Sequence, residues 1–453
     1  MRKTLLIAAI MLMCVPSAFA QKNAKYNQYG VEVKSDRLDV EAQDGILVLA
    51  SPTSKYKLWF DTRIQADFAG FFGAPEYADP IGYGSSIRRA RFAVKGQLDE
   101  NWYGEFDMDL ANGLVELKDA IVRYTGIPNL ELQAGNFKEN FSIQRNTTSR
   151  YLQFMERPMV CSALAPSRHL GVNAKYAKNW LWVSAGVFEL VVAGEEEWTL
   201  TADNNKDFGR GAGYSATGKL VIRPLYKMKD ASLHIGGAVS YRTPKVTDDS
   251  YGAYRASARN STSLNRKKYI DTDVLPGFSH NFLWTIEVAG HYQGLRYETA
   301  YIGDNVHFHK SVADNKTKNF GGWYAQAGYL LFGGSQNYDA NGGKYTKVNR
   351  GQKWGDIELC ARYEYCDLNN ANIYGGAAEA YTVGLNWLVN NNVKIMINYQ
   401  YNNNDRYANG KGKLFVGHDA AGKPTKDYTK VVEGNKKAGV DYHMLAIRFE
   451  VDF

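Results

Sequence analysis

A period of two, repeated along nearly the whole chain, restricts this sequence more than anything else in it. In Tyr442–Phe453, Leu445, Ile447, Phe449, Val451 and Phe453 fall on one face, and Met444, Ala446, Arg448, Glu450 and Asp452 on the other. Residues 54–68 set Leu58, Phe60, Thr62, Ile64, Ala66 and Phe68 against Trp59, Asp61, Arg63, Gln65 and Asp67. A strand of this kind can stand with one face in lipid and the other in water. The pattern recurs at 88–98, 102–110, 117–124, 130–137, 169–177, 180–188, 213–224, 231–242, 281–290, 292–302, 320–332, 353–366, 379–388 and 392–402, which makes about sixteen strands. An even number suits a single-chain bacterial barrel. Beyond residue 20 no segment approaches the roughly 20 consecutive apolar residues of a membrane helix, so a membrane role requires a closed barrel, in which only every second residue is apolar. The 31 Tyr, 43 Gly and 9 Trp, with only 11 Pro, suit aromatic girdles and glycine-rich turns. A soluble β-sandwich is the competing architecture, but one sandwich core seldom absorbs so many strands.

The other end of the chain supplies the compartment. Arg2 and Lys3, the apolar run Leu5 to Met13 and the small-residue site Ala18-Phe19-Ala20 read as a signal peptide over 1–20, with the mature chain expected from Gln21. Export together with an all-β spanning pattern points to the outer membrane of a Gram-negative bacterium. The aromatic Phe453 is expected to be read by the barrel-assembly machinery. Residues 21–53 read as a polar periplasmic segment with a hairpin around Asp44-Gly45, and 54–453 as the barrel. Short turns at 99–101, 125–129, 178–179, 225–230 and 390–392 alternate with long connections at 69–87, 138–168, 189–212, 243–280, 303–319 and 403–441, as short periplasmic turns and longer external loops do. Residues 333–352 break the rule, being long yet on the periplasmic side.

The charge of +7 falls to +5 once Arg2 and Lys3 are removed, too weak an excess to suggest nucleic acid. Cys161, Cys360 and Cys366 form no disulfide framework, and no residue spacing suggests a metal or cofactor site. Of the histidines, only His307 and His309 are close enough in sequence to merit a metal test. Asp356, Glu358 and Glu364 near Arg362 imitate a catalytic cluster, but mixed charge is usual inside a barrel and no enzymatic activity is expected.

Arg89, Arg91 and Lys95 alternate with apolar residues and should face the lumen, as should Glu105, Asp107 and Asp109 on the next strand. If Leu98 pairs with Trp102, Lys95 falls opposite Glu105 and Arg91 opposite Asp109, neutralising much of this basic row. Selectivity then shifts to Arg88 or Arg89 and to the loop 138–168, where Lys138, Arg145, Arg150, Arg157 and Arg168 outnumber Glu139 and Glu156 by three. A narrow low-dielectric channel focuses such a field and concentrates anions. For Arg157, the alternative of pinning the loop to the barrel weighs equally. The triad Arg145, Arg150 and Arg157 is read as lacking a matched set of acids.

Several segments resemble the phosphate-selective porin O and P family: Ile87-Arg88-Arg89-Ala90-Arg91-Phe92, Trp102-Tyr103-Gly104-Glu105-Phe106-Asp107, Leu117-Lys118-Asp119-Ala120, Phe154-Met155-Glu156-Arg157 and Ala165-Pro166-Ser167-Arg168-His169-Leu170-Gly171. The resemblance spans 54–453 and is densest over 87–171. It implies a sixteen-stranded transmembrane antiparallel β-barrel, a homotrimer, whose third external loop folds inward and whose basic residues draw small anions such as phosphate. The candidate anion and constriction residues are Arg88, Arg89, Arg91, Lys95, Asp119, Lys138, Arg145, Arg150, Arg157 and Arg168. A general porin, or a surface receptor or adhesin using the long segments 243–280 and 403–441, are the other readings.

Overall fold

In the computed structural model, the described residues are 29, 38–43, 45–190, 213–244, 252–312, 316–434 and 437–453. The segment 1–20 assigned to a signal peptide therefore lies outside them, as does most of the external loop 189–212. Sixteen strands form the wall: β1 (Lys57–Phe72), β2 (Gly84–Gln97), β3 (Trp102–Asp109), β4 (Glu116–Ile127), β5 (Leu130–Lys138), β6 (Arg168–Lys178), β7 (Leu181–Glu189), β8 (Tyr214–Ile222), β9 (Ala231–Arg242), β10 (Leu275–Tyr292), β11 (Leu295–Phe308), β12 (Lys318–Leu330), β13 (Asp356–Asn370), β14 (Ile373–Leu388), β15 (Val393–Asn404) and β16 (Tyr442–Asp452). Each pairs antiparallel with its neighbour in sequence, and β16 pairs with β1 from Asp452↔Arg63 to His443↔Phe72. The sheet therefore closes and leaves no edge within the wall, the condition for a strand structure in lipid. Along β16, Leu445 and Phe449 stay exposed on the outer face while Met444, Ala446 and Arg448 are buried.

The strands reach higher on the external side than the alternation shows. β1 continues to Phe72, β10 begins at Leu275 and β14 at Ile373, because paired backbone remains satisfied above the membrane whatever side chains it carries. Before the wall, Asp39–Gln43 pairs with Ile46–Ala50 in the hairpin anticipated at Gly45, and the second strand joins β1 through Val48↔Trp59. Asp44 lies outside the described residues.

Segments of the chain fold into the lumen. The loop 138–168, carrying the short helices α1 (Ile143–Asn146) and α2 (Met159–Ala163), leans on the far wall β9–β14. Phe141, Met159, Val160 and Cys161 are fully buried there against Ala300, Ile302 and Tyr324. Carboxylates of that wall hold the loop's backbone: Ile143 N–H donates to Glu287 at 2.8 Å and Met159 N–H to Glu364 at 2.6 Å, while the Gln153 amide donates to Glu358 at 2.7 Å. The acids Glu358 and Glu364 are thus loop anchors, and Asp356 anchors a second segment described below. Residues 252–274, taken from sequence as part of a surface loop, also turn inward: Tyr269 and Ile270 are buried, Asn260 bonds Asn404 at 2.9 Å, and Ser261 donates to Glu364 at 2.8 Å.

The anomalous segment 333–352 enters the barrel from the periplasmic side. Ser335 and Asn349 close its base with two backbone bonds, and Tyr338–Asp339 pairs with Lys344–Tyr345. The Asp356 carboxylate takes the backbone N–H groups of Phe332, Gly334 and Gly351 at 3.1, 2.9 and 2.9 Å. Farther in, the Tyr345 hydroxyl shares its one proton between the carbonyls of Gly290 and Tyr297, 2.7 and 3.0 Å away, and its ring lies 3.7 Å from the Arg296 guanidinium, which itself donates to the Tyr151 carbonyl of the inward loop. The tip crosses to the opposite wall, where Trp182 donates to Asn341. There Gly343 has φ +59 and a side chain would meet the Trp182 ring at 3.1 Å, so glycine suits the tip on two counts.

Candidate functional site

Between the inward loop and strands β1–β6 lies a cavity of ≈ 350 Å³. Eleven cationic side chains line it (Arg63, Arg89, Arg91, Lys95, Arg123, Lys138, Arg150, Arg157, Arg168, Lys175 and Lys344) against five carboxylates (Asp61, Glu105, Asp107, Asp119 and Glu131), an excess of six positive charges. A field of one sign between low-dielectric walls raises the local concentration of anions.

Pairing decides which of these charges remain available. The Leu98 N–H bonds the Trp102 carbonyl at 2.9 Å, and the register sets Lys95 opposite Glu105 and Arg91 opposite Asp109 as anticipated. Arg91 lies 3.2 Å from Asp107 and 3.5 Å from Asp109; Lys95 contacts Asp61 and lies 3.5 Å from Glu105. Arg168 joins Asp119 at 2.6 Å, Arg63 joins Asp452 at 3.2 Å, and Glu131 serves both Arg123 and Lys175. Arg150, expected to lack a compensating acid, contacts Asp61 and lies 3.2 Å from Asp452. The expectation failed because these acids belong to the barrel seam, far away in sequence.

A bulge explains how two consecutive arginines both face inward. Gln65 pairs with Arg89 and Ala66 with Ile87, which leaves Arg88 as the extra residue. Glu156 gathers them: Arg88 at 2.6 Å, Arg89 at 3.9 Å and Arg448 at 3.1 Å. Arg145 is absorbed into the loop, donating to the carbonyls of Cys161 and Ala165, and does not line the cavity. Arg157 is pinned as well, to the carbonyls of Gln144 and Thr147, but a carbonyl does not cancel its charge.

Among the described residues, three cavity cations have no carboxylate within 4.0 Å: Lys138, Arg157 and Lys344. Lys138, Arg157 and Lys344 line the same cavity. The sequence indicates Lys138 and Arg157 but not Lys344, which reaches the cavity on the tip of the inserted 333–352 segment. Its anomalous length is the one signal that marked it.

The wall charges give a direct expectation. Arg91→Gln unmasks two acids, so anion preference should fall; adding Asp109→Asn should restore only part of it, because Asp107 remains. Reversal potentials under a salt gradient test this, and full restoration would show that Asp107 is silent.

A family model, phosphate-selective porin O and P, matches residues 60–421. The chain belongs to that family. Porin O of Pseudomonas aeruginosa is 24% identical over 419 residues, covering 84% of this chain and 91% of that one. An uncharacterized protein of Caulobacter vibrioides is 28% identical over 351 residues, covering 74% of this chain; the match spans 66% of that relative's length. Among solved structures, OmpT of Vibrio cholerae (TM-score 0.50, 11% identity, 87% of this chain and 98% of that) and an anion-selective porin from Comamonas acidovorans (TM-score 0.50, 9% identity, 88% and 100%) share the fold. The porin is an outer-membrane protein of the Gram-negative envelope, a closed sixteen-stranded barrel with an inward third loop.

Proposed function

We propose that this porin conducts small anions by passive diffusion through the cationic cavity, with phosphate or a related oxyanion as its solute. The observation that carries the reading is the trio Lys138, Arg157 and Lys344, without a carboxylate within 4.0 Å in a cavity with six excess positive charges. Arginine offers a fork of donors matched to oxyanions, lysine a mobile point charge, and neither encloses the ion so tightly that it stays. Family membership supports phosphate as substrate. Planar-bilayer reversal potentials should show anions more permeant than cations, and millimolar phosphate should reduce chloride current. Cation preference would reject the reading; anion preference without a phosphate effect would leave a general anion porin.

A homotrimer fits the reading, since OmpT of Vibrio cholerae was solved in a trimer form. A surface-receptor role loses part of its support, because much of 252–274, including Asn260, Ser261, Tyr269 and Ile270, turns inward and is buried. Catalysis through Asp356, Glu358 and Glu364 gains none, since each accepts hydrogen bonds that hold a lumenal segment. The assignments of 1–20 as a signal peptide, 21–53 as a periplasmic segment and Phe453 as the assembly signal belong to the same proposal. Deleting Phe453 should impair insertion while export through the inner membrane continues.

A further inference from the structure

On the outer face of the barrel, three rows of side chains run across β11, β12 and β13 in register. Tyr301 stands opposite Trp323 and Trp323 opposite Tyr365. The next outward row toward the external side is Gly303, Gly321 and Asp367, and the one beyond it begins with Asn305 opposite Asn319. All point away from the lumen: Tyr301 and Trp323 are exposed, whereas their neighbours Ile302 and Tyr324 are fully buried inside.

At Gly321 lies a groove of ≈ 270 Å³, lined by Tyr301, Trp323 and Tyr365 on its membrane side and by Asn319, Asp367 and Asn369 on its external side. A side chain at Gly321 would meet the Tyr301 hydroxyl at 2.6 Å and the Ile302 carbonyl at 3.0 Å, so substitution there displaces the Tyr301 ring that lines the groove. Its polar rim is held in place: Tyr365 donates to Asp367 at 3.1 Å, the Asn369 N–H to Asp367 at 2.9 Å, and Asn370 to the Asn319 carbonyl at 3.1 Å. The groove sits just below the external β13–β14 turn, so its apolar-to-polar direction runs along the membrane normal.

We propose that this groove binds the sugar headgroup of an outer-leaflet glycolipid. Aromatic rings pack against the C–H face of a hexose, while carboxylate and amide oxygens accept its hydroxyls. The carboxylate disfavours a bare phosphate, so recognition is through the sugar. The proposal depends on the barrel's orientation in the outer membrane and not on its ion selectivity.

Rough-type lipopolysaccharide titrated into the full-length porin in detergent micelles, followed by calorimetry, tests it. Gly321→Leu and Asp367→Asn should each weaken binding by about tenfold, with bilayer conductance unchanged because neither residue faces the lumen. Dephosphorylated lipopolysaccharide should bind wild-type porin as well as the native form does. If Gly321→Leu fails to assemble, Asp367→Asn and Trp323→Ala decide. Unaltered binding in the assembled variants overturns the proposal, as does loss of binding on dephosphorylation or equal affinity for phosphatidylglycerol vesicles. Efficient cross-linking of Asn319→Cys between porin copies would assign the groove to a second protomer instead. Loss of conductance selectivity in an unrelated pore variant leaves this result untouched, so the two readings fail separately.

Discussion

Lys138→Gln with Lys344→Gln is expected to lower the anion-over-cation permeability ratio severalfold, more than any single change at a paired wall residue. A unit charge about 6 Å from a passing ion contributes about 0.7 kcal/mol even at the dielectric of water, and salt screens part of it. Lys138 and Lys344 have no carboxylate within 4.0 Å, so removing them takes away charge that no ion pair offsets, whereas removing Arg91 exchanges one local balance for another. Adding Arg157→Gln should extend the loss, though it also removes two bonds that hold the loop. Permeability ratios at low and high salt are the measurement. If the double variant keeps its preference while Arg91→Gln abolishes it, the arginine wall is the filter and the unpaired trio is not.

Replacing residues 336–348 by a short glycine linker should produce the largest change in conductance of any variant considered. That segment enters the lumen from the periplasmic side, and its tip meets the far wall at Trp182. The strands on either side do not depend on it, since β12 and β13 pair from Gly321↔Asp367 to Leu330↔Glu358. Single-channel current should rise severalfold, with selectivity reduced because Lys344 leaves with the segment. Tyr345→Ala is the milder form: it deletes the shared hydrogen bond and the stacking of Arg296, each worth about 1 kcal/mol, and should give noisy, partly widened channels. Unchanged current after the excision would mean that ions leave by a path the segment never obstructed.

The sixteen strands and the Arg91–Asp109 and Lys95–Glu105 pairs were legible because period-two alternation and a short turn are local properties. The roles of Arg150 and Glu156 were not, since their partners Asp61, Asp452 and Arg448 are brought near only by closure. Nor was Arg145, whose donation to loop carbonyls depends on how α2 is placed. Residues 333–352 could be recognised as anomalous, but direction of folding is not written in a polar, glycine-rich composition. Strand parity alone does not place both Arg88 and Arg89 in the lumen, because the bulge that does so is not visible in the alternation.

The seam between β1 and β16 imposes an order on biogenesis. Thr62 bonds the Phe453 backbone across 391 positions of sequence, so the closing contact cannot be made while the strand that supplies it is still absent. A chain interrupted before β16 would display two open rows of backbone donors and acceptors, surfaces prone to pairing with other chains. Closure is thereby coupled to stability: a wall without β16 exposes its own unsatisfied hydrogen bonds, whereas the closed wall conceals them.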